Sequence, residues 1–195
     1  MDFRFLFAYH AARVAPTQTN LLKEINMPVS EQFLAEFDQE MPLTRTVLER
    51  VPDEKLSWKP HPKSGSMAWL AGHIASVPSW LVDTIKLDYF DMCPNGVAMQ
   101  PPPEPKTRRD LLEVFDKSVT PARAAIAGAS DADFFKTWRF LNNGKEVFAM
   151  PRIASLRTWV FNHLIHHRGQ LTVYLRLNNI SVPSIYGPSA DEGSL

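Results

Sequence analysis

The chain has 195 residues, 45% of them hydrophobic, and its 21 Lys+Arg balance 21 Asp+Glu for a formal net charge of zero. That length suits one domain with a short appendage. The lack of a basic excess argues against a nucleic-acid or anionic-membrane binder, and no apolar run approaches the ~18–20 residues of a membrane span. A single cysteine, Cys93, excludes an internal disulfide and fits a reducing, cytoplasmic setting.

In chain order, residues 1–27 read as an extension placed before a domain of residues 28–195, with Met27 as an alternative start. The opening stretch is apolar but holds Asp2, His10 and Arg13, which argues against a cleaved signal peptide. A first helix is expected over 30–51. Ser30 is its N-cap, Leu34, Phe37, Met41, Thr44, Leu48 and Val51 form its inward stripe, and Pro42 should kink it. A turn-rich connection containing Pro60, His61 and Pro62 follows, with His61 as a surface loop residue.

Ser66 should cap a second helix over 67–87. It is apolar nearly all round and therefore deeply buried. Trp69, His73, Ser76 and Trp80 share one of its faces, and Pro78 should distort it. Residues 88–106 are proline-rich and weakly periodic, and read as a long crossover. Thr107 and Asp110 resemble a capping box opening a third helix to about residue 127. Its inner side is Leu111, Val114 or Phe115, Ser118, Ala122 and Ala125, and Gly128 stops it. Asn143-Gly144, flanked by Trp138, Phe140, Val147 and Phe148, predicts a short β-hairpin. Pro151 then opens a last helix to about residue 178, and a turn-rich tail should fold back onto the helices.

Three of the six histidines lie on that last helix. Leu156, Val160, His163, His167, Gln170, Tyr174 and Leu177 follow the 4-3 spacing of an inward stripe. His163 and His167 therefore sit one turn apart where core residues belong, a spacing that suits two imidazoles converging on one metal ion. The alternative is a pair of core histidines, each hydrogen-bonded to a neighbouring helix. A catalytic metal usually takes three protein ligands and leaves a position open, and His73 is the further inward histidine on a separate helix. The zincin pattern fails because Leu164 stands where its glutamate belongs. No nucleophile triad or Gly-rich phosphate loop is recognisable.

The Trp69-Leu70-Ala71-Gly72-His73-Ile74 segment, the Asn162-His163-Leu164-Ile165-His166-His167-Arg168-Gly169-Gln170 run and the closing Val182-Pro183-Ser184-Ile185-Tyr186-Gly187 resemble the DinB-like superfamily of metalloenzymes. The resemblance covers the chain from about Met27 to its end. It implies an all-α four-helix bundle in up-down-down-up order, with the crossover between helices two and three. It also implies a homodimer, and a zinc or nickel ion held by residues matching His73, His163 and His167. Kinship with mycothiol-dependent maleylpyruvate isomerase and bacillithiol transferases implies a low-molecular-weight thiol as co-substrate.

Other residues carry two readings each. His166 is a surface histidine or supports the site. Asn162 and Gln170 orient ligand imidazoles or are ordinary helix polar groups. Trp69, Trp80 and Tyr174 wall a pocket or are plain core. Arg168 is a solvated or tail-binding charge, and Asp191 and Glu192 supply acid–base groups if the tail covers the metal. The expected function is metal-dependent transferase or hydrolase chemistry on a small molecule. A thiol substrate is favoured because no carboxylate base is anchored beside the histidines. The alternative is a non-catalytic, stress-responsive metal-binding protein that uses the segment before Met27 to hold a partner.

Overall fold

Each long helix starts where the chain supplies a partner for its first backbone donors. The computed structural model describes residues 27–193, so the extension, Met27 apart, and His10 within it lie outside the described residues. Helix α1 (Val29–Leu48) begins after Pro28, not at Ser30, and no side chain of its own caps it. Its Val29 N–H instead donates to Asp131 Oδ1 at 2.9 Å, a carboxylate 102 residues away. Phe33, Phe37, Met41, Thr44, Val47 and Leu48 are buried, whereas Leu34 is only partly so. Helix α2 (Met67–Lys86) is capped as expected: Ser66 Oγ accepts the Trp69 N–H at 2.9 Å. Both helices continue through their internal prolines, Pro42 and Pro78.

Helix α3 (Arg108–Ala127) opens on the full Thr107/Asp110 capping box. Phe115, not Val114, faces the core; Val114 is 41% exposed. Ser118 donates to Ala75 O of α2 at 2.7 Å. Helix α4 (Asp131–Phe135) was not anticipated, although Ser130 and Asp133 form a second capping box for it. It buries Phe134, which stacks on Phe33 with centroids 5.5 Å apart.

The expected hairpin is present as β2 (Thr137–Asn142) and β3 (Lys145–Pro151). Asn143 and Gly144 carry the two positive φ angles, 51° and 73°, that a type I′ turn requires. The hairpin is part of a larger sheet, however. Residues 89–91, read from sequence as crossover, form β1 (Tyr89–Asp91), parallel to β2, in the order β1-β2-β3. Asp91 accounts for it: its carboxylate accepts the N–H groups of Asn143 at 2.9 Å and Gly144 at 2.7 Å, tying the crossover to the turn. Phe140 is the register partner of both Phe90 and Phe148, so the three share one face of the sheet.

The last helix is continuous but not uniform. Helix α5 (Arg152–Ser155) passes into a π-helical segment (Leu156–Asn162) and then into α6 (His163–Leu177). This corrects the expected stripe. From Leu156 on, the buried stripe runs Leu156, Val160, Leu164, Arg168, Leu171 and Leu175, with Phe161 buried beside it. Three successive steps of four residues would drift about 120° around a regular α-helix, and the wider π turns absorb that drift. His163 and His167 therefore flank the core and are half-buried. Gln170 is exposed, as is Leu177 at 58%. Among the described residues the architecture is mostly helical with one small three-stranded sheet, and no helix is long and apolar enough to cross a membrane.

Candidate metal centre

Helix α2 presents His73, and α6 presents His163 and His167, to one point. The Nε2 atoms of His73 and His163 lie 2.8 Å apart, and one ligand atom from each of the three histidines falls within a 4.8 Å span. Ring centroids are 5.0, 4.7 and 4.5 Å apart. Imidazoles at 2.0–2.1 Å around a tetrahedral zinc ion place their nitrogens about 3.3 Å apart. Widening the His73–His163 gap by about half an ångström would admit such an ion, so the donor set fits one.

Electrostatics favour neutral rings. Burial, reinforced by the neighbouring imidazoles His167 and His163, lowers the pKa of His73 to about 4. Burial, with His167 and His166 adding to it, takes His163 to about 4 as well. His167 is also lowered, chiefly by burial and against the opposing hydrogen bond of Gln170. At neutral pH the rings are uncharged, which is the form a metal takes.

Gln170 decides which lone pair of His167 is offered. Its Oε1 lies 2.8 Å from His167 Nδ1, and its amide nitrogen lies 2.9 Å from His166 Nε2. The amide oxygen can only accept, so His167 Nδ1 carries the proton and its Nε2 keeps the lone pair. His166 is exposed; it meets the Gln170 amide nitrogen, and its ring packs edge-on against His167 at 5.0 Å. Asn162 is exposed and touches none of the three rings through a hydrogen bond among the described residues.

Aromatic rings surround the imidazoles. Trp69 stacks on His73 at 5.3 Å and 4°, and Trp80 packs edge-on against both His73 and His163 at 5.3 Å. A further ring, Trp159, was missed from sequence. It stacks on His163 at 6.1 Å and 18°, and its outer side lies against Phe140 at 4.9 Å and Phe148 at 5.5 Å. The sheet thus backs the site through Trp159. The available signal was its spacing of four from His163, the same as that of His167 on the other side. Tyr174 is not part of this shell: it donates to Gly65 O at 3.3 Å and meets Trp58 edge-on.

The polar tail residues go elsewhere. Asp191 pairs with Arg176 and accepts the Val182 N–H, and Glu192 pairs with Arg50 and accepts the Ser184 N–H. Neither supplies an acid or base to the histidines. Arg168 is not solvated. It is 2% exposed and pairs with Glu40 at 2.7 Å, and the tail residue Tyr186 hydrogen-bonds to both. The tail-binding reading of Arg168 holds; the buried carboxylate partner on α1 was not foreseen.

The sequence profile of the DinB superfamily matches residues 36–171, a span that contains all three histidines. The uncharacterized protein YrdA of Bacillus subtilis is 46% identical over 43 residues, 22% of this chain and 25% of that protein, so the chain spans a quarter of this curated relative. A DinB-like protein from Bacillus cereus has the same fold, with a TM-score of 0.64 and 24% identity over 82% of this chain and 98% of the other. The DinB-like protein YjoA from Bacillus subtilis superposes with a TM-score of 0.61 and 20% identity over 80% of this chain and 98% of its own.

Proposed function

Because the chain belongs to the DinB superfamily, we propose that His73, His163 and His167 hold one divalent metal ion, zinc or nickel, at the centre of an enzyme acting on a small molecule. The observation that carries this reading is the convergence of three neutral imidazoles from two helices, half-open to solvent and without a carboxylate among them. An ion held by three neutral ligands would supply its full +2 charge to lower the pKa of a thiol or a water. The residues of the chain do the rest. Gln170 sets the tautomer of His167, Trp159 and Trp80 hold the His163 ring, and Trp69 stacks on His73.

A thiol fits this centre better than water. Water attack needs a base, and Asp191 and Glu192 are held by Arg176 and Arg50. A thiolate needs none. We therefore read the reaction as thiol-dependent transfer to a small electrophile, carried out in the cytoplasm. We read the fold as the up-down-down-up four-helix bundle of the family, assembled as a homodimer. In light scattering the homodimer would show twice the 22.1 kDa chain mass.

The test has two arms. Protein purified without a His-tag should carry close to one metal ion per chain by elemental analysis, and His73→Ala and His167→Ala should lose it. Metal-loaded protein should then turn over a generic electrophile with one member of a thiol panel, and His163→Ala should not. Metal retained in both alanine variants would sink the site. Rates equal to His163→Ala across the panel would remove thiol transfer.

A further inference from the structure

Beside the histidine cluster runs an open trench made of two clefts that meet at Gly65 and Trp69. One, of about 350 Å³, is lined by Lys59, Lys63, Gly65, Ser66, Trp69 and Glu104. The other, of about 400 Å³, includes Pro60, Trp69, Gln170, Val173 and Tyr174. Both are open to solvent along their length, so a ligand there would lie on the surface and not be enclosed. The ends differ in chemistry. The first is lined by two lysines and one glutamate, and Glu104 already accepts a hydrogen bond from Ser66 Oγ at 2.9 Å. The second is apolar and aromatic apart from Ser64 and the Gln170 amide.

The trench touches the cluster at two points. Trp69 stacks on His73 and is 42% exposed, and Gln170 holds His167. Gly65 keeps Trp69 in place: a Cβ there would lie 2.4 Å from the indole Cε3, so only glycine lets the ring settle on the backbone.

We propose that this trench binds a small organic anion, its carboxylate at Lys59 and Lys63 and its flat apolar body on Trp69. Head and body follow from the two ends: a net positive mouth selects an anion, and the exposed part of the Trp69 indole, with Val173 and Pro60, selects an apolar group. The trench as a subsite for the reacting molecule rests on the metal-centre reading. Its binding of an anion does not.

The probe is 2-naphthoate, compared with the neutral isostere 2-naphthamide, titrated by calorimetry into chelator-treated and zinc-loaded protein. Naphthoate is expected to bind at least tenfold tighter than the amide in both forms, with an affinity that falls as salt is raised. The double variant Lys59→Gln/Lys63→Gln should abolish the preference, and Glu104→Gln should increase it. Trp69→Leu should weaken both probes alike. These lysines are exposed, so their loss leaves the fold intact, which an unchanged circular dichroism spectrum verifies. Equal affinity for acid and amide overturns the proposal. So does a preference that survives the double lysine variant, or naphthoate binding that appears only with zinc, which would mark direct ligation to the ion. Failure of zinc to bind at all leaves the chelator-treated titration as a full test.

Discussion

His73 and His163 each give up more than two pH units of proton affinity on folding, and that loss links site and stability. In the unfolded chain these imidazoles bind a proton near 6.5, and in the folded chain near 4. Between those values the unfolded state carries more protons, so stability rises with pH. Metal-free protein should be fully stable above about pH 6.5 and lose on the order of 1 kcal/mol per imidazole as pH falls towards 4, a figure reduced because the rings are half-open. Urea midpoints at pH 7.5 and 4.5 measure this. An unchanged difference in His73→Asn would show that His73 contributes nothing. Gln170 makes a second prediction at this scale. Removing its acceptor in Gln170→Leu should weaken zinc binding about 10- to 100-fold by chelator competition, whereas Gln170→Glu, which can still accept from Nδ1–H, should retain most of it.

At the scale of elements, the π-helical segment and the sheet act together through Trp159. The segment lets Leu164, Arg168, Leu171 and Leu175 face the core while His163 and His167 turn towards α2. The sheet then braces Trp159 against His163 with Phe140 and Phe148. Replacing this half-buried ring in Trp159→Ala should destabilise the protein by about 2–3 kcal/mol in urea, below the range for full burial. It should also weaken zinc binding; undiminished zinc affinity would separate the sheet from the site. This is also where the sequence stopped being legible. The Ser66 cap, the Thr107–Asp110 box and the Asn143-Gly144 turn were readable because each is satisfied within four residues. The histidine pair was readable because its spacing is helical. Strand β1 depends on Asp91 reaching a turn 52 residues away, and the α1 cap depends on Asp131. A 4-3 stripe extended without the π turns moves Gln170 and Leu177 inward and Arg168 outward, which is the error the structure corrects.

Across the whole molecule, the first and last helices are joined by the buried ion pair that this error concealed. Glu40 and Arg168 leave only 6% and 3% of their side chains exposed and meet at 2.7 Å. Arg168 also donates to Thr44 Oγ1 at 3.0 Å and to Glu40 O at 3.2 Å, across 124 and 128 positions of sequence. Tyr186 closes the group from the tail: its hydroxyl donates to Glu40 at 2.8 Å, and its ring lies 5.2 Å from the guanidinium carbon. Desolvating two charges offsets most of their mutual attraction, so the pair adds little net stability, but either charge left alone is costly. Arg168→Met and Glu40→Met should therefore each cost about 3–5 kcal/mol, and the double variant markedly less than either, because it buries no orphan charge. Tyr186→Phe, which removes one hydroxyl from an otherwise intact pair, should cost about 1–2 kcal/mol. Urea unfolding of the four variants decides the matter. Additive single losses would mean that the two charges act independently and that the ion pair couples nothing between α1 and α6.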